Sequence, residues 1–133
     1  MKVHGECHCG NVAYDAEVDP ERVTICHCSD CQRLTGTAYR VSVPARISDF
    51  VLLRGSPATY VKTADSGAAR GQVFCPQCGS PLYSYAMPDP VTYGLRVGCL
   101  DERHELPPRK RIWCRSALAW SIDIGGLPGR ERE

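Results

Sequence analysis

The chain of 133 residues carries a formal net charge of +1, with 43% hydrophobic and 23% charged residues. These values are ordinary for a globular protein, so we expect a single domain over residues 1–133 with a charged tail at about 128–133. The near-neutral charge gives no reason to expect nucleic-acid binding. No run approaches the ~20 apolar residues of a membrane span. We also expect no signal peptide, because Cys7 comes before any apolar run could form. We therefore expect a cytoplasmic protein without a nucleic-acid or membrane partner; the sequence does not indicate its oligomeric state.

Short runs of alternating apolar and polar residues, separated by glycine and proline, predict an all-β chain. The clearest run covers 38–43, where Val41 and Val43 would share one face with Tyr39, and Arg40 and Ser42 would share the other. The predicted strands, in chain order, are 12–16, 38–43, 50–53, 59–63, 73–74, 82–85, 93–97 and 119–124. We expect a β-sandwich of short antiparallel strands with one or two helical turns.

Residues 29–32 carry the clearest signal in the sequence for the start of a helix. Ser29 is followed three residues later by Gln32, which is the capping-box pattern, and Asp30 would lie in the first turn. Gly36 would end this helix after about a turn and a half.

Nine cysteines without a secretory signal are the most informative feature of the sequence. In a reducing compartment, closely spaced cysteines are typical of metal or catalytic sites, and an odd count fits a disulfide framework poorly. We expect seven of the nine to be metal ligands, with a disulfide scaffold as the weaker alternative.

Residues 74–79 read FCPQCG, the pattern of a zinc knuckle. Two residues between Cys75 and Cys78 let both sulfur atoms face one tetrahedral ion, and the glycine supplies the turn. A redox Cys-x-x-Cys normally precedes a long helix, which is not predicted here. Because a structural zinc needs four ligands, Cys7 and Cys9, also followed by glycine, are the natural second pair.

Cys26, Cys28 and Cys31 form a third cluster, with three thiols inside six residues. Three protein ligands and one open position are typical of a catalytic zinc. His27 could be a fourth ligand, but it lies between two ligands and should point away from the metal. A different pairing of the seven cysteines, or one shared cluster, stays open because the sequence does not show which loops meet.

The open position predicts chemistry on a thiol. Three thiolates on Zn²⁺ leave a net charge of about −1, so the ion would be a poor Lewis acid for producing hydroxide. An exogenous thiol would bind as its thiolate, ready to attack an electrophilic carbon. These residues favour an enzyme with a small thiol substrate. The alternatives are a non-catalytic zinc-stabilised binding module, since one fold can serve unrelated functions, and a metal-storage or redox-sensing protein.

The motifs resemble those of the glutathione-dependent formaldehyde-activating enzyme family, whose members have a zinc-bearing all-β fold. The resemblance spans nearly the whole chain. It rests on 5–12 (GECHCGNV) with Tyr14, 26–33 (CHCSDCQR) with Gly36, Gly55 with Tyr60, 74–80 (FCPQCGS), 98–101 (GCLD) and Trp120.

By this resemblance the chain holds two Zn²⁺ ions. A structural zinc would be bound by Cys7, Cys9, Cys75 and Cys78, and a catalytic zinc by Cys26, Cys28 and Cys31. The family name implies formation of S-hydroxymethylglutathione from glutathione and formaldehyde, or the reverse, which is a carbon–sulfur lyase activity.

The remaining candidates have both a functional and a structural interpretation. A basic cluster could bind the carboxylates of a glutathione-like thiol, or could simply be a solvated face; it consists of Arg103, His104, Arg109, Lys110, Arg111 and Arg115. We expect Trp113 and Trp120 in the core rather than in a substrate platform. We expect Cys99 and Cys114 to be buried, inert thiols.

Overall fold

The computed structural model describes residues 1–133 and confirms the all-β class. The ten strands are β1 (Lys2–Glu6), β2 (Ala13–Glu17), β3 (Thr24–Cys26), β4 (Arg40–Arg46), β5 (Phe50–Arg54), β6 (Ala58–Thr63), β7 (Ala69–Phe74), β8 (Pro81–Ala86), β9 (Thr92–Arg96) and β10 (Lys110–Ile112). One α-helix, α1 (Ser29–Thr35), lies between β3 and β4. The 3-10 helices are Pro20–Arg22, Ile47–Asp49, Val97–Cys99, Asp101–Glu105, Cys114–Ser116 and Ala119–Ile122. None of these helices has the length and apolar character that crossing a membrane requires.

The strands form two sheets. The smaller sheet has the order β1-β2-β5, and the larger has the order β10-β3-β4-β9-β8-β7-β6. Neighbouring strands are antiparallel, as expected, except that β10 pairs with β3 in parallel. The short loops permit this antiparallel pattern, because parallel strands need a long crossover such as the one that leads to β10.

The hydrophobic core lies between the two sheets. Directly paired residues of neighbouring strands share one face, so Val43, Leu95 and Tyr83 make a continuous apolar row across the larger sheet. The Tyr14 side chain of the smaller sheet is fully buried against this row. Its ring centroid lies 4.9 Å from that of Phe50 and 5.8 Å from that of Tyr83. These aromatic contacts join the sheets.

The opposite face of the larger sheet is polar. By the same pairing rule it carries Cys26, Arg40, Ser42, Arg96, Ser84, Gln72 and Tyr60. Helix α1 borders this face: Lys62 of β6 and Asp30 of the helix form an ion pair with an N–O distance of 2.8 Å. The cysteine cluster on α1 and the polar strand residues therefore lie on one side of the molecule.

The structure corrects two predicted elements. The predicted strand at 119–124 is a 3-10 helix, Ala119–Ile122, which pairs with no strand. The N-cap of α1 is Cys28 rather than Ser29, since the Cys28 sulfur accepts a hydrogen bond from the Cys31 backbone N–H at 3.3 Å. Gly36 ends the helix as predicted, with a φ of 66° that favours glycine.

The predicted burial is wrong for three side chains and holds only in part for a fourth, Cys99. Trp113 and Trp120 are 56% and 63% exposed, because the segment after β10 runs outside both sheets. Cys114 is exposed as well, and Cys99 is only half-buried, with its thiol 3.2 Å from the Pro81 carbonyl oxygen to which it donates.

Gly5 provides a test of the packing around Tyr14. We call the contacts of Tyr14 with Phe50 and Tyr83 the aromatic junction. A methyl group at this position would collide with the Tyr14 ring, which lies against the β1 backbone. We expect Gly5→Ala to lower the free energy of unfolding by about 1–3 kcal/mol through overpacking. Gly98→Ala is the matched control, since nothing lies within 4 Å of the added group. Urea unfolding followed by circular dichroism gives both values, and equal midpoints for the two variants would contradict this packing.

Candidate metal centres

All nine cysteines carry free thiols, and seven of them form two separate groups. Within each group the sulfur atoms all lie within 4.8 Å of one another. The first group contains Cys7, Cys9, Cys75 and Cys78, and the second contains Cys26, Cys28 and Cys31. We call them the four-cysteine group and the three-cysteine group. Their role as metal ligands stays a prediction.

The turns after β1 and β7 supply the four-cysteine group. In the first turn the Val12 backbone N–H donates to the Cys7 sulfur at 3.2 Å. In the second, the Gly79 N–H donates to the Cys75 carbonyl oxygen, and the Ser80 hydroxyl lies 3.2 Å from the Cys78 sulfur. Hydrogen bonds from Ser80 are the main reason that the pKa of Cys78 is lowered to about 5. Each turn thus orients its thiols through local hydrogen bonds.

The spacing of these sulfur atoms fits zinc. The Cys7 and Cys9 sulfurs are 3.7 Å apart, and those of Cys9 and Cys75 are 3.8 Å apart. Four sulfurs at a Zn–S distance of about 2.3 Å in a tetrahedron would be about 3.8 Å apart. The four-cysteine group can therefore hold a zinc ion with little rearrangement.

The three-cysteine group lies at the junction of β3 and α1. Cys26 ends β3, Cys28 caps the helix, and Cys31 lies in its first turn. The Cys26 and Cys31 side chains are buried, whereas Cys28 is partly exposed. The Cys28 and Cys31 sulfurs are 3.1 Å apart, closer than the edge of a zinc–sulfur tetrahedron, so they would separate slightly around an ion. Three thiols, one of them partly exposed, fit a metal ion that keeps an accessible position.

Two cysteines of the three-cysteine group change each other's pKa in opposite directions. A hydrogen bond from the Cys31 thiol is the largest cause that lowers the pKa of Cys26 to about 5, and the Arg40 charge contributes. The same contact, together with burial, raises the pKa of Cys31. The contact thus lowers the pKa of Cys26 and raises that of Cys31, so Cys26 is the member of the pair that loses its proton first.

His27 lies outside the three-cysteine group. Its ring is buried and packs edge-on against Tyr39, with the ring centroids 5.4 Å apart. Gln32, which sequence analysis assigned to a capping box, holds the neighbouring backbone instead. Its Nε2 donates to the carbonyl oxygens of His27 at 2.9 Å and Ser116 at 3.0 Å, and so ties the loop to the C-terminal segment.

Two arginines that sequence analysis did not identify as site residues lie beside the three-cysteine group. Arg40 is paired with Cys26 in the sheet, and Arg96 is 93% buried on the same polar face. Neither arginine forms an ion pair with a carboxylate. Burial, followed by the Arg40 charge, lowers the pKa of Arg96 to about 9, which leaves it charged at neutral pH. The alternation of Arg40 and Ser42 in β4 was the only sequence signal for this face.

The basic cluster predicted from sequence is spread along an exposed surface. All of its six members are exposed. Arg109 pairs with Glu21 at 3.0 Å, and Arg103 donates to the Leu100 carbonyl oxygen at 3.0 Å. This arrangement agrees with the solvated-face interpretation.

Comparisons with known proteins agree with this geometry. A crystal structure of a Rhodobacter sphaeroides protein, a structural genomics target, is similar to this chain with a TM-score of 0.65 and 26% sequence identity. The match covers 84% of this chain and 99% of that one. The family model described as "Glutathione-dependent formaldehyde-activating enzyme" matches residues 2–116, which include both cysteine groups. With that match and the separate four- and three-cysteine groups, the chain belongs to the glutathione-dependent formaldehyde-activating enzyme family.

Proposed function

We propose that this protein is a zinc-dependent enzyme that adds a small thiol, such as glutathione, to an aldehyde such as formaldehyde, or catalyses the reverse step as a carbon–sulfur lyase. Cys26, Cys28 and Cys31 would hold the catalytic zinc, and the four-cysteine group would hold a structural zinc. The observation that carries the proposal is the separation of the seven thiols into a complete set of four and an incomplete set of three.

Zinc held by three thiolates would keep one position for an exogenous ligand and would convert an incoming thiol to its thiolate. The chain's own residues prepare this position. Cys26 and Cys31 are buried, so access is on the side of the partly exposed Cys28. The Gln32 hydrogen bonds hold the loop that carries these sulfurs.

The reaction needs no oxidant or reductant. The thiol loses its proton, its sulfur forms a bond to the carbonyl carbon, and the π electron pair moves to the carbonyl oxygen, which takes up a proton. The positive charges of Arg40 and Arg96 would favour an anionic thiolate and a developing negative charge on oxygen. Either side chain would therefore support the chemistry without itself exchanging a proton.

A non-catalytic zinc-stabilised binding module is the second candidate. It would need only the four-cysteine group to stabilise the fold. The second, incomplete set of thiols and the two unpaired arginines beside it would then have no role, so these features favour the enzyme.

We expect two zinc ions per chain by elemental analysis of protein purified under reducing conditions.

The two groups should respond differently to substitution. Cys75→Ser should abolish folding, because a structural zinc contributes ~10–16 kcal/mol of apparent binding free energy and a whole domain has a stability of only about 5–15 kcal/mol. Cys31→Ser should fold with one zinc, since its group is local in sequence. A folded Cys75→Ser beside an unfolded Cys31→Ser, checked by circular dichroism, would mean that the roles are reversed.

Thiol binding tests the catalytic assignment. With cobalt in place of zinc, glutathione should strengthen the sulfur-to-metal charge-transfer absorption and release a proton, because coordination deprotonates the thiol. S-Methylglutathione is the matched control and should do neither. Cys31→Ser loaded with cobalt should lose the response. If the spectrum of the fully loaded chain ignores glutathione, the lyase function fails and the binding module becomes the better account.

A further inference from the structure

We propose that a cavity beside the three-cysteine group binds a carboxylate of the thiol substrate, and that Arg96 and Gln72 recognise this carboxylate. The inference rests on the proposed function and deepens it. It assigns the selection of an acidic thiol to residues of β7 and β9, rather than to the exposed basic cluster.

The cavity lies between helix α1 and the polar face of the larger sheet. It has a volume of about 200 Å³, and Thr35, Tyr60, Gln72 and Arg96 are among its eight lining residues, none of which is acidic. None of the three cysteines lines the cavity, but the hydroxyl of Thr35, which does, donates to the Cys31 carbonyl oxygen at 2.7 Å, so the cavity lies next to the segment that carries the three-cysteine group. Pockets that hold whole drug-sized ligands measure about 300–1,000 Å³, so this one fits one end of such a molecule.

Arg96 and Gln72 both line this cavity, and both have unused hydrogen-bond donors. Arg96 is 93% buried and donates to the Gln72 side-chain oxygen at 2.9 Å and to the Gly94 carbonyl oxygen at 3.3 Å. A guanidinium has five N–H groups, so others remain available. The Gln72 amide nitrogen is buried without any partner. A buried donor without a partner is costly, and a planar carboxylate would satisfy the guanidinium and the amide together.

The charge balance supports an anionic ligand. Arg96 is buried and has no carboxylate partner. A buried charge without an ionic partner is unfavourable, so an anionic ligand at this position would stabilise it. The exposed basic cluster has no such requirement, because solvent screens its charges.

Calorimetric titration of the zinc-loaded chain under reducing conditions tests the inference with two probes, glutathione and glutathione diethyl ester. Both carry the thiol, and only the first carries carboxylates. We expect the wild type to bind glutathione more tightly than the ester. In Arg96→Met the affinity for glutathione should fall about 10- to 100-fold, the effect of losing a charged hydrogen bond, and the affinity for the ester should fall much less, so that the preference for glutathione is lost.

Two further variants remove the ambiguity of a destabilised fold. Gln72→Glu places a carboxylate beside Arg96, so it should keep or raise the melting temperature and still weaken glutathione by a similar factor. If Arg96 had only a structural role, Gln72→Glu would leave the preference for glutathione intact. Arg46→Met removes an exposed arginine from the far end of β4 and should change neither affinity.

The outcomes separate this inference from the proposed function. Equal affinity of the wild type for both probes, or an unchanged preference in both Arg96→Met and Gln72→Glu, overturns the carboxylate site and leaves thiol binding in place. Failure of the wild type to bind either probe overturns the proposed function, and the carboxylate site with it.

Discussion

Four sulfur atoms from distant parts of the chain make the contact on which the remaining structure depends. Cys9 and Cys75 are 66 positions apart in sequence, and their sulfurs are 3.8 Å apart. Cys7 follows the smaller sheet, and Cys75 follows a strand of the larger one. An ion held here would link the end of β1 in the smaller sheet to the end of β7 in the larger sheet. Because the cross-link closes a long loop, it removes a large amount of conformational entropy from the unfolded chain.

Successive side chains of the larger sheet point alternately to the core and to the polar face beside the three-cysteine group. Val43 and Leu95 face the smaller sheet and form part of the core. Their neighbours in sequence, Ser42 and Arg96, face the other side, where helix α1 brings the three-cysteine group. The polar face, which carries the proposed site, is therefore supported by a core that it does not share. A change on the polar face can alter binding with little effect on packing, as long as no buried donor loses its partner.

The cysteine motifs could be predicted from the sequence because ligand spacing is a local property, and the need for four ligands suggested which turns would meet. Most strands could be predicted from alternation. Three strands were missed: β1 because KVHGE has one large apolar residue, β3 because three residues are too few to show alternation, and β10 because all three of its residues are exposed. The 3-10 helix at Ala119–Ile122 was mistaken for a strand because its apolar residues are of types that are common in strands. In the structure none of its residues is buried.

The proposed carboxylate site could not be predicted from the sequence, for a different reason. Gln72 and Arg96 belong to β7 and β9, which are not neighbours, and β8 lies between them. Their 2.9 Å contact depends on the register of two strand pairs, which neither residue type reveals. Buried arginine is rare without a partner, and this property becomes visible only when burial is known.

The two exposed tryptophans determine which spectroscopic signals report on the fold. Both Trp113 and Trp120 lie in the segment after β10, outside the core. Both rings are more than half exposed, so their fluorescence in the native protein will be shifted towards that of indole in water. The six tyrosines include Tyr14 and Tyr83 in the aromatic junction between the sheets. Near-ultraviolet signals from tyrosine therefore follow the packing of the core, whereas tryptophan emission reports on the C-terminal segment and its contact with residues 37–39.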